Sequence, residues 1–273
     1  VPEFLKGLGI QDSNLYVLGD YSGPAMPGVL DRAIARAEEL EGQGKQVDIV
    51  FGVDLDGGRL VAAVKDNHGN WVILNANQLG AAMLYYRLLA LNSLGQIPTN
   101  SVVGESFVTT SLIQKIASQY PNITTKITDV GEKFLQELSA TSNTLFTLEE
   151  SDNIWGDGIL ASGILAELAA LKHRTSGIFK GLTVWDVLNK AYKAFGYHYN
   201  SQVALAIEGP VEAEDISYLR NNLLDIVNEV RDELLVDAPS GVAADGISSI
   251  TGRTVYGAAV LDITYALTDG SAI

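Results

Sequence analysis

The chain has 273 residues, of which 47% are hydrophobic, so it can bury a substantial core and can form more than one domain. Its formal net charge is -15, from 18 basic and 33 acidic residues, which argues against a partner held through a phosphate backbone; we expect no nucleic acid. No apolar run reaches the ~18 residues of a membrane span. For that reason we expect no membrane partner. The lack of cysteine permits a cytoplasmic location, which we expect.

Apolar strands alternate with helices of amphipathic pattern along the chain, which is typical of α/β layers with parallel or mixed sheets. The pattern changes near Leu74 and near Gly196, and we expect domain boundaries there. Helices are predicted at 26–40, 78–94, 111–119, 131–140, 159–172, 183–195 and 214–235, and strands at 47–53, 60–64, 144–148, 203–207 and 258–267.

The predicted strand 47–53 runs into a glycine turn that carries two carboxylates and an arginine. Asp54 and Asp56 fall on the same side of an extended chain. Carboxylate oxygens suit Mg²⁺, which proteins usually bind through one or two carboxylates together with substrate phosphate. Arg59 can hold a phosphate through its planar guanidinium. The segment therefore predicts a site for Mg²⁺ and a phosphate.

The same turn admits other interpretations. Its carboxylates can cap neighbouring backbone amides, which is a structural role only. An EF-hand is disfavoured, because Arg59 stands where the sixth position requires glycine and because strands flank the loop. A magnesium-dependent phosphatase of the haloacid dehalogenase type, with Asp54 as nucleophile and Asp56 as acid, remains open on these residues alone.

Two further segments carry candidate binding residues. Lys133 lies in the sequence 129–134, at the start of a predicted helix, where a solvated lysine is the simpler interpretation. Glu149 and Ser151 follow the predicted strand 144–148. A carboxylate and a hydroxyl in this arrangement can accept from and donate to two vicinal hydroxyls of a sugar, or they can cap a helix or strand.

The order of these features resembles that of the α-D-phosphohexomutases, the family of phosphoglucomutases and phosphomannomutases. Asp54, Asp56 and Arg59 match its magnesium loop Asp-Gly-Asp-x-Asp-Arg, with Gly58 in place of the third aspartate. The sequence Ser101–Ala117 is similar to a family strand that ends in small hydroxyl residues before a helix.

The resemblance continues downstream of this helix. Lys133 matches a Gly-x-Lys step, and Glu149 and Ser151 are similar to the sugar-reading loop Gly-Glu-x-Ser-Gly, with Leu148 and Asp152 in place of its glycines. The resemblance implies that Asp54 and Asp56 bind Mg²⁺ and that Arg59 and Lys133 act in catalysis. It also implies that Glu149 and Ser151 bind the hydroxyls of a hexose phosphate.

Two family motifs are not found in this sequence: the phosphoserine loop of the first domain and the phosphate loop Arg-x-Ser-Gly-Thr-Glu-Pro of the last. By resemblance, residues 1–75 correspond to part of the second mutase domain with the metal loop, 76–197 to the third domain with the sugar loop, and 198–273 to part of the fourth. The expected fold is a series of mixed α/β layers that ends in a partial α+β domain. The missing N-terminal domain is then an expected partner.

The resemblance predicts part of a mutase that interconverts hexose 1-phosphate and 6-phosphate, with glucose as the expected hexose, through a phosphoserine and a bisphosphate intermediate. Phosphoryl transfer depends on positioning and charge stabilisation, so a chain without the phosphoryl carrier is expected to be inactive alone. The alternative is a degenerate relative that binds a sugar phosphate or a protein without catalysis. The phosphatase that uses Asp54 and Asp56 is a distant third hypothesis.

Overall fold

The computed structural model describes residues 1–18, 28–151, 153–198, 247–255 and 260–267. The chain divides into two compact units, Val1–Ala194 and Phe195–Ile273. The predicted strand 203–207 and helix 214–235 lie outside the described residues. Among the described residues, no helix is long and apolar enough to cross a membrane.

The described helices and strands include two strands, Trp71–Leu74 and Ile123–Thr128, which the sequence pattern did not predict. Two short 3-10 turns, Asp12–Asn14 and Leu171–His173, supplement them. The helices are α1 (Pro2–Gly7), α2 (Asp31–Gly42), α3 (Ala76–Ser93), α4 (Leu112–Ala117), α5 (Glu132–Thr141), α6 (Gly158–Ala170) and α7 (Val184–Phe195). The strands are β1 (Ile49–Val53), β2 (Leu60–Lys65), β3 (Trp71–Leu74), β4 (Ser101–Ser106), β5 (Ile123–Thr128), β6 (Thr144–Glu149), β7 (Asn153–Ile154), β8 (Ile247–Val255) and β9 (Val260–Leu267).

The strands form both antiparallel and parallel pairs, and the predicted mixed α/β class is confirmed. The first sheet has the order β1-β2-β3 and is antiparallel throughout. The second has the order β5-β4-β6-β7, in which β4 runs parallel to β5 and β6 while β7 turns back antiparallel to β6. In the second unit, β8 and β9 form an antiparallel pair. The carboxyl ends of β4 and β6 therefore meet at one edge of the second sheet.

Helix α3 packs against both sheets of the first unit, through β2 and β3 on one side and β6 and β7 on the other. A capping box begins it: the Asn75 side chain accepts from the Gln78 amide at 2.9 Å, and the Gln78 side chain accepts from the Asn75 amide at 3.2 Å. The helix is buried on most of its surface rather than amphipathic. The predicted division of this unit at residues 75 and 76 stays a prediction.

Glu105 is a buried acid in the core of the second sheet, where its residue surface is 1% exposed. Neither of its carboxylate oxygens has a hydrogen-bond partner within the described residues. Burial raises the pKa of Glu105 to about 8. The folded chain therefore favours the neutral acid near neutral pH.

We predict that Glu105 makes the fold less stable as the pH rises. Its pKa is higher in the folded chain than its ordinary value of 4.5, so the folded state binds the proton more tightly, and the free energy of unfolding falls between pH 4.5 and about 8. The variant Glu105→Gln should lose a slope of about 1.4 kcal/mol per pH unit across that window. Urea unfolding at several pH values measures it.

The matched control is Glu137→Gln, which neutralises an exposed carboxylate on α5. It should leave the pH dependence of the parent chain unchanged. If the Glu105→Gln variant and the parent chain instead give parallel curves of unfolding free energy against pH, Glu105 is not held as a neutral acid.

Candidate functional site

Residues 54–59 form the hairpin loop between β1 and β2, and we call them the aspartate loop. The Asp54 amide donates to the Arg59 carbonyl at 3.3 Å, and the Arg59 amide donates to Asp54 Oδ1 at 2.9 Å. Within the loop, the Gly57 amide donates to the Asp54 carbonyl at 3.1 Å. One carboxylate oxygen of Asp54 thus closes the loop, as the capping interpretation expects.

The aspartate loop carries the two carboxylates predicted to bind a cation. Asp56 is exposed and accepts from the Gly58 amide through Oδ1 at 3.4 Å, and the Arg59 side chain is also exposed. Among the described residues, no three acidic, histidine or cysteine side chains come together as a metal cluster. Two carboxylates alone would suit Mg²⁺ only if the ion took its remaining ligands from phosphate and water, which is a common arrangement for this ion.

The aspartate loop packs directly against the first turn of α6. The Gly158 amide donates to the Gly57 carbonyl at 2.6 Å. A Cβ atom at Gly158 would lie 2.6 Å from the Arg59 carbonyl oxygen and 3.0 Å from the Gly57 oxygen, both of them backbone atoms. Only glycine at position 158 allows this close approach.

Asp157 caps α6 and uses up its first free amides. Its Oδ1 accepts from the Ile159 and Leu160 amides, both at 2.9 Å. With Gly158 bonded to the aspartate loop, the three leading amides of α6 all have partners. This helix start therefore holds the loop in place and is not an anion site.

Glu149 and Ser151 lie together at the end of β6, at the carboxyl edge of the parallel strands. Ser151 Oγ donates to Glu149 Oε2 at 3.0 Å. The Gly131 amide donates to Glu149 Oε1 at 2.6 Å, so the turn before α5 is held against the end of β6. Glu149 is only 5% exposed, and both of its oxygens already accept one hydrogen bond.

Lys133 lies two residues beyond Gly131, in the first turn of α5. Its side chain is exposed, and its ammonium lies 4.7 Å from the centre of the Phe134 ring. It forms no hydrogen bond or ion pair within the described residues. The structure thus places Gly131, the glycine of the Gly-x-Lys step, in contact with Glu149, while the role predicted for Lys133 itself stays a prediction.

A hydroxyl cluster at the end of β4 was not predicted as part of the site. Glu150 Oε2 accepts from Ser106 Oγ at 2.8 Å, and Ser106 Oγ lies 2.9 Å from Thr109 Oγ1. The sequence shows small hydroxyl residues after a strand, but it does not show that β4 and β6 are neighbours. That adjacency, which brings Ser106 to Glu150, comes from the fold.

Residues 153–157 lie between the Glu149–Ser151 turn and the start of α6, which packs against the aspartate loop. Trp155 and Gly156 have φ values of +62° and +65°, and Trp155 is one of two residues other than glycine with positive φ in the described chain. The Trp155 indole donates to the Leu145 carbonyl at 2.8 Å and packs edge-on against Phe146. These contacts fix Trp155 against β6, three residues before Gly158.

The chain matches curated phosphoglucomutases of Staphylococcus aureus. With the enzyme of strain MRSA252 it is 27% identical over 221 residues, which cover 77% of this chain and 39% of the relative. With the enzyme of strain MSSA476 it is 27% identical over 238 residues, which cover 81% and 42%. The chain is related to the phosphohexomutase family. It spans about two-fifths of the length of these relatives.

Two solved structures of phosphohexomutases are also similar to this chain. A phosphoglucomutase/phosphomannomutase family protein from Burkholderia thailandensis is 16% identical, with a TM-score of 0.49 over 90% of this chain and 47% of the other. An N-acetylphosphoglucosamine mutase from Aspergillus fumigatus, solved with GlcNAc-6P and magnesium, is 11% identical, with a TM-score of 0.33 over 57% and 33%. Because both TM-scores are below 0.5, neither likeness supports a functional argument. No protein-family model matches the chain.

We predict that Gly158→Ala displaces the aspartate loop. The added methyl group would overlap two backbone carbonyls that cannot rotate away, so the variant should lose about 1–3 kcal/mol of stability. Hydrogen exchange at the Gly58 and Arg59 amides should become faster. Urea unfolding and mass-spectrometric exchange measure the two effects.

Gly42→Ala at the end of α2 is the control, because a Cβ there meets nothing within 4 Å. It should keep the exchange of the aspartate loop and should not lower stability. Unchanged exchange at Gly58 and Arg59 in Gly158→Ala would show that this contact does not hold the loop.

Proposed function

We propose that the chain is the sugar-phosphate-binding part of a phosphohexomutase that interconverts hexose 1-phosphate and hexose 6-phosphate, with glucose as the hexose. The proposal is supported by the contact between Gly57 and Gly158, because Gly158 follows Glu149 by only nine residues. The aspartate loop and the Glu149–Ser151 turn therefore belong to the same compact unit. The match to phosphoglucomutases covers 77–81% of this chain.

In this proposal, Asp54 and Asp56 hold Mg²⁺ and the exposed guanidinium of Arg59 contacts the phosphoryl group. When bound, Mg²⁺ would neutralise phosphate charge. Asp54 Oδ1 is committed to the Arg59 amide, and this bond orients the carboxylate toward the loop. The backbone of Arg59 is bonded to Asp54 at both its amide and its carbonyl, so cation and guanidinium would be presented by the same turn.

Glu149 and Ser151 would form hydrogen bonds with the sugar hydroxyls, and Lys133 would bind a phosphate or sugar oxygen nearby. Each carboxylate oxygen of Glu149 accepts one hydrogen bond and keeps capacity for another. The Gly131 and Ser151 bonds fix the plane of this carboxylate before a ligand arrives. A preordered acceptor costs less entropy on binding than a mobile one.

A second candidate is a relative that binds a sugar phosphate without catalysis. The observation in its favour is Gly58, which leaves the aspartate loop with two carboxylates where the family loop has three. Such a chain would bind the sugar phosphate without help from Mg²⁺. Nothing in the described residues favours the phosphatase hypothesis over these two.

We expect the purified chain to bind glucose 1-phosphate more tightly when Mg²⁺ is present, as measured by titration calorimetry. The double variant Asp54→Asn, Asp56→Asn should lose Mg²⁺ binding and this enhancement, because neutral amides attract the cation far less than carboxylates. The double variant Glu38→Gln, Glu137→Gln removes two exposed carboxylates elsewhere and should behave as the parent chain. Binding of glucose 1-phosphate that is independent of Mg²⁺ would favour the non-catalytic relative, and no binding at all would contradict both candidates.

A separate prediction concerns Glu149 and Ser151. Glu149→Gln keeps the side-chain shape but removes the charge and one acceptor, so affinity for glucose 1-phosphate should fall about tenfold or more, the worth of one charge-assisted hydrogen bond. Affinity for inorganic phosphate, which offers no sugar hydroxyl, should change far less. Equal losses for the two ligands would contradict a hydroxyl-reading role for Glu149.

A further inference from the structure

Two successive carboxylates at the end of β6 are held by different neighbours. Glu149 accepts from the Gly131 amide before α5, and Glu150 accepts from Ser106 at the end of β4. Gly131 comes directly before α5 and Ser106 ends β4, so the two bonds tie this turn to two separate elements. Ser151, which completes the predicted sugar pair, comes immediately after them.

The group that holds Glu150 is itself rigid. Ser106 is 1% exposed and Thr109 is 8% exposed. The Thr109 amide donates to the Ser106 carbonyl at 3.0 Å, which closes a tight turn after β4. The Thr110 amide donates to the buried side-chain oxygen of Asn77 at 3.0 Å, so α3 fixes this turn as well. Ser106 is therefore a fixed donor.

The donors and acceptors of this cluster match an ionised Glu150. An ionised Glu150 can only accept, so Ser106 must donate its single hydroxyl hydrogen to it. The Thr109 hydrogen then goes to Ser106 Oγ at 2.9 Å or to the Leu148 carbonyl at 3.3 Å. Every hydroxyl hydrogen has an acceptor in this arrangement. The cluster joins Leu148 and Glu150, the residues on either side of Glu149.

The electrostatics of Glu150 agree with this arrangement. Burial raises the pKa of Glu150, the Ser106 hydroxyl lowers it in part, and the charge of Glu149 raises it further. The Ser106 bond therefore offsets part of the cost of a half-buried carboxylate next to another carboxylate. Loss of Ser106 would leave that charge with less compensation.

We propose that Glu150 is a positioning residue for the Glu149–Ser151 pair, and that it acts through the hydroxyl groups of Ser106 and Thr109. The inference rests on the proposed sugar-reading function of that pair. Glu150 fixes the turn from the β4 side so that Glu149 stays oriented by Gly131. Its acceptor oxygen is what the role requires, and a glutamine at position 150 can supply one.

The test compares Glu150→Ala, Glu150→Gln and Ser106→Ala, with Ser93→Ala as the control. Ser93 is an exposed residue whose hydroxyl donates to the Ala90 carbonyl, so its loss removes a hydroxyl bond outside the site. The readouts are hydrogen exchange at Gly131 and residues 148–151, glucose 1-phosphate affinity, and Mg²⁺ affinity. Circular dichroism shows whether each variant is folded.

We expect faster exchange at Gly131 and residues 148–151 in Glu150→Ala and Ser106→Ala, and glucose 1-phosphate affinity about tenfold lower, the worth of a lost buried hydrogen bond. Mg²⁺ affinity should stay at the parent value, because the aspartate loop is held by other contacts. Glu150→Gln should recover most of both losses. A general loss of structure would instead lower both affinities together.

Unchanged exchange in Glu150→Ala, or Glu150→Gln as defective as Glu150→Ala, would overturn the inference. If Glu150→Ala does not fold, the exchange of Ser106→Ala and Glu150→Gln decides it. If the parent chain binds no glucose 1-phosphate, the proposed function fails. In that case the exchange readout alone decides whether Glu150 fixes the turn.

Discussion

The contact between the Gly57 carbonyl and the Gly158 amide, 2.6 Å long, is the constraint on which the candidate site depends. It is possible because position 158 has no Cβ atom, which would otherwise meet two backbone oxygens of the aspartate loop. The loop is therefore located by the start of α6. Because α6 comes soon after β6 and β7 in the chain, the same contact also sets where the aspartate loop lies relative to the turn after β6.

The carboxyl edge of the second sheet supplies the other half of the site. Parallel strands β4 and β6 end side by side, and polar residues that come after parallel strands gather at that edge. Two carboxylates lie at this edge, and each accepts from a different neighbour: Glu149 from Gly131 and Glu150 from Ser106. A prearranged set of acceptors of this kind suits a ligand with several hydroxyl groups, because little order has to be created on binding.

Residue patterns predicted much of this fold, and the remainder depends on tertiary contacts. The helices were found because their apolar spacing and caps are local, as the Asn75 and Gln78 capping box shows. Strand β5 was missed, since Ile123–Thr128 is an edge strand whose polar, exposed pattern lacks an apolar run. The amphipathic interpretation of α3 was wrong because both sheets cover it. The bond from Ser106 to Glu150 joins residues 44 positions apart, and only strand adjacency reveals it.

A backbone amide NMR titration of the chain with glucose 1-phosphate and Mg²⁺ would test whether the aspartate loop and the Glu149–Ser151 turn bind one ligand together. We expect saturable shifts at Gly131 and Ser151 from the sugar phosphate, together with shifts at Gly58 and Arg59 that require Mg²⁺. Binding of one ligand would then involve both the aspartate loop and the Glu149–Ser151 turn. Saturable shifts confined to other parts of the chain, or no shifts at either segment, would contradict it.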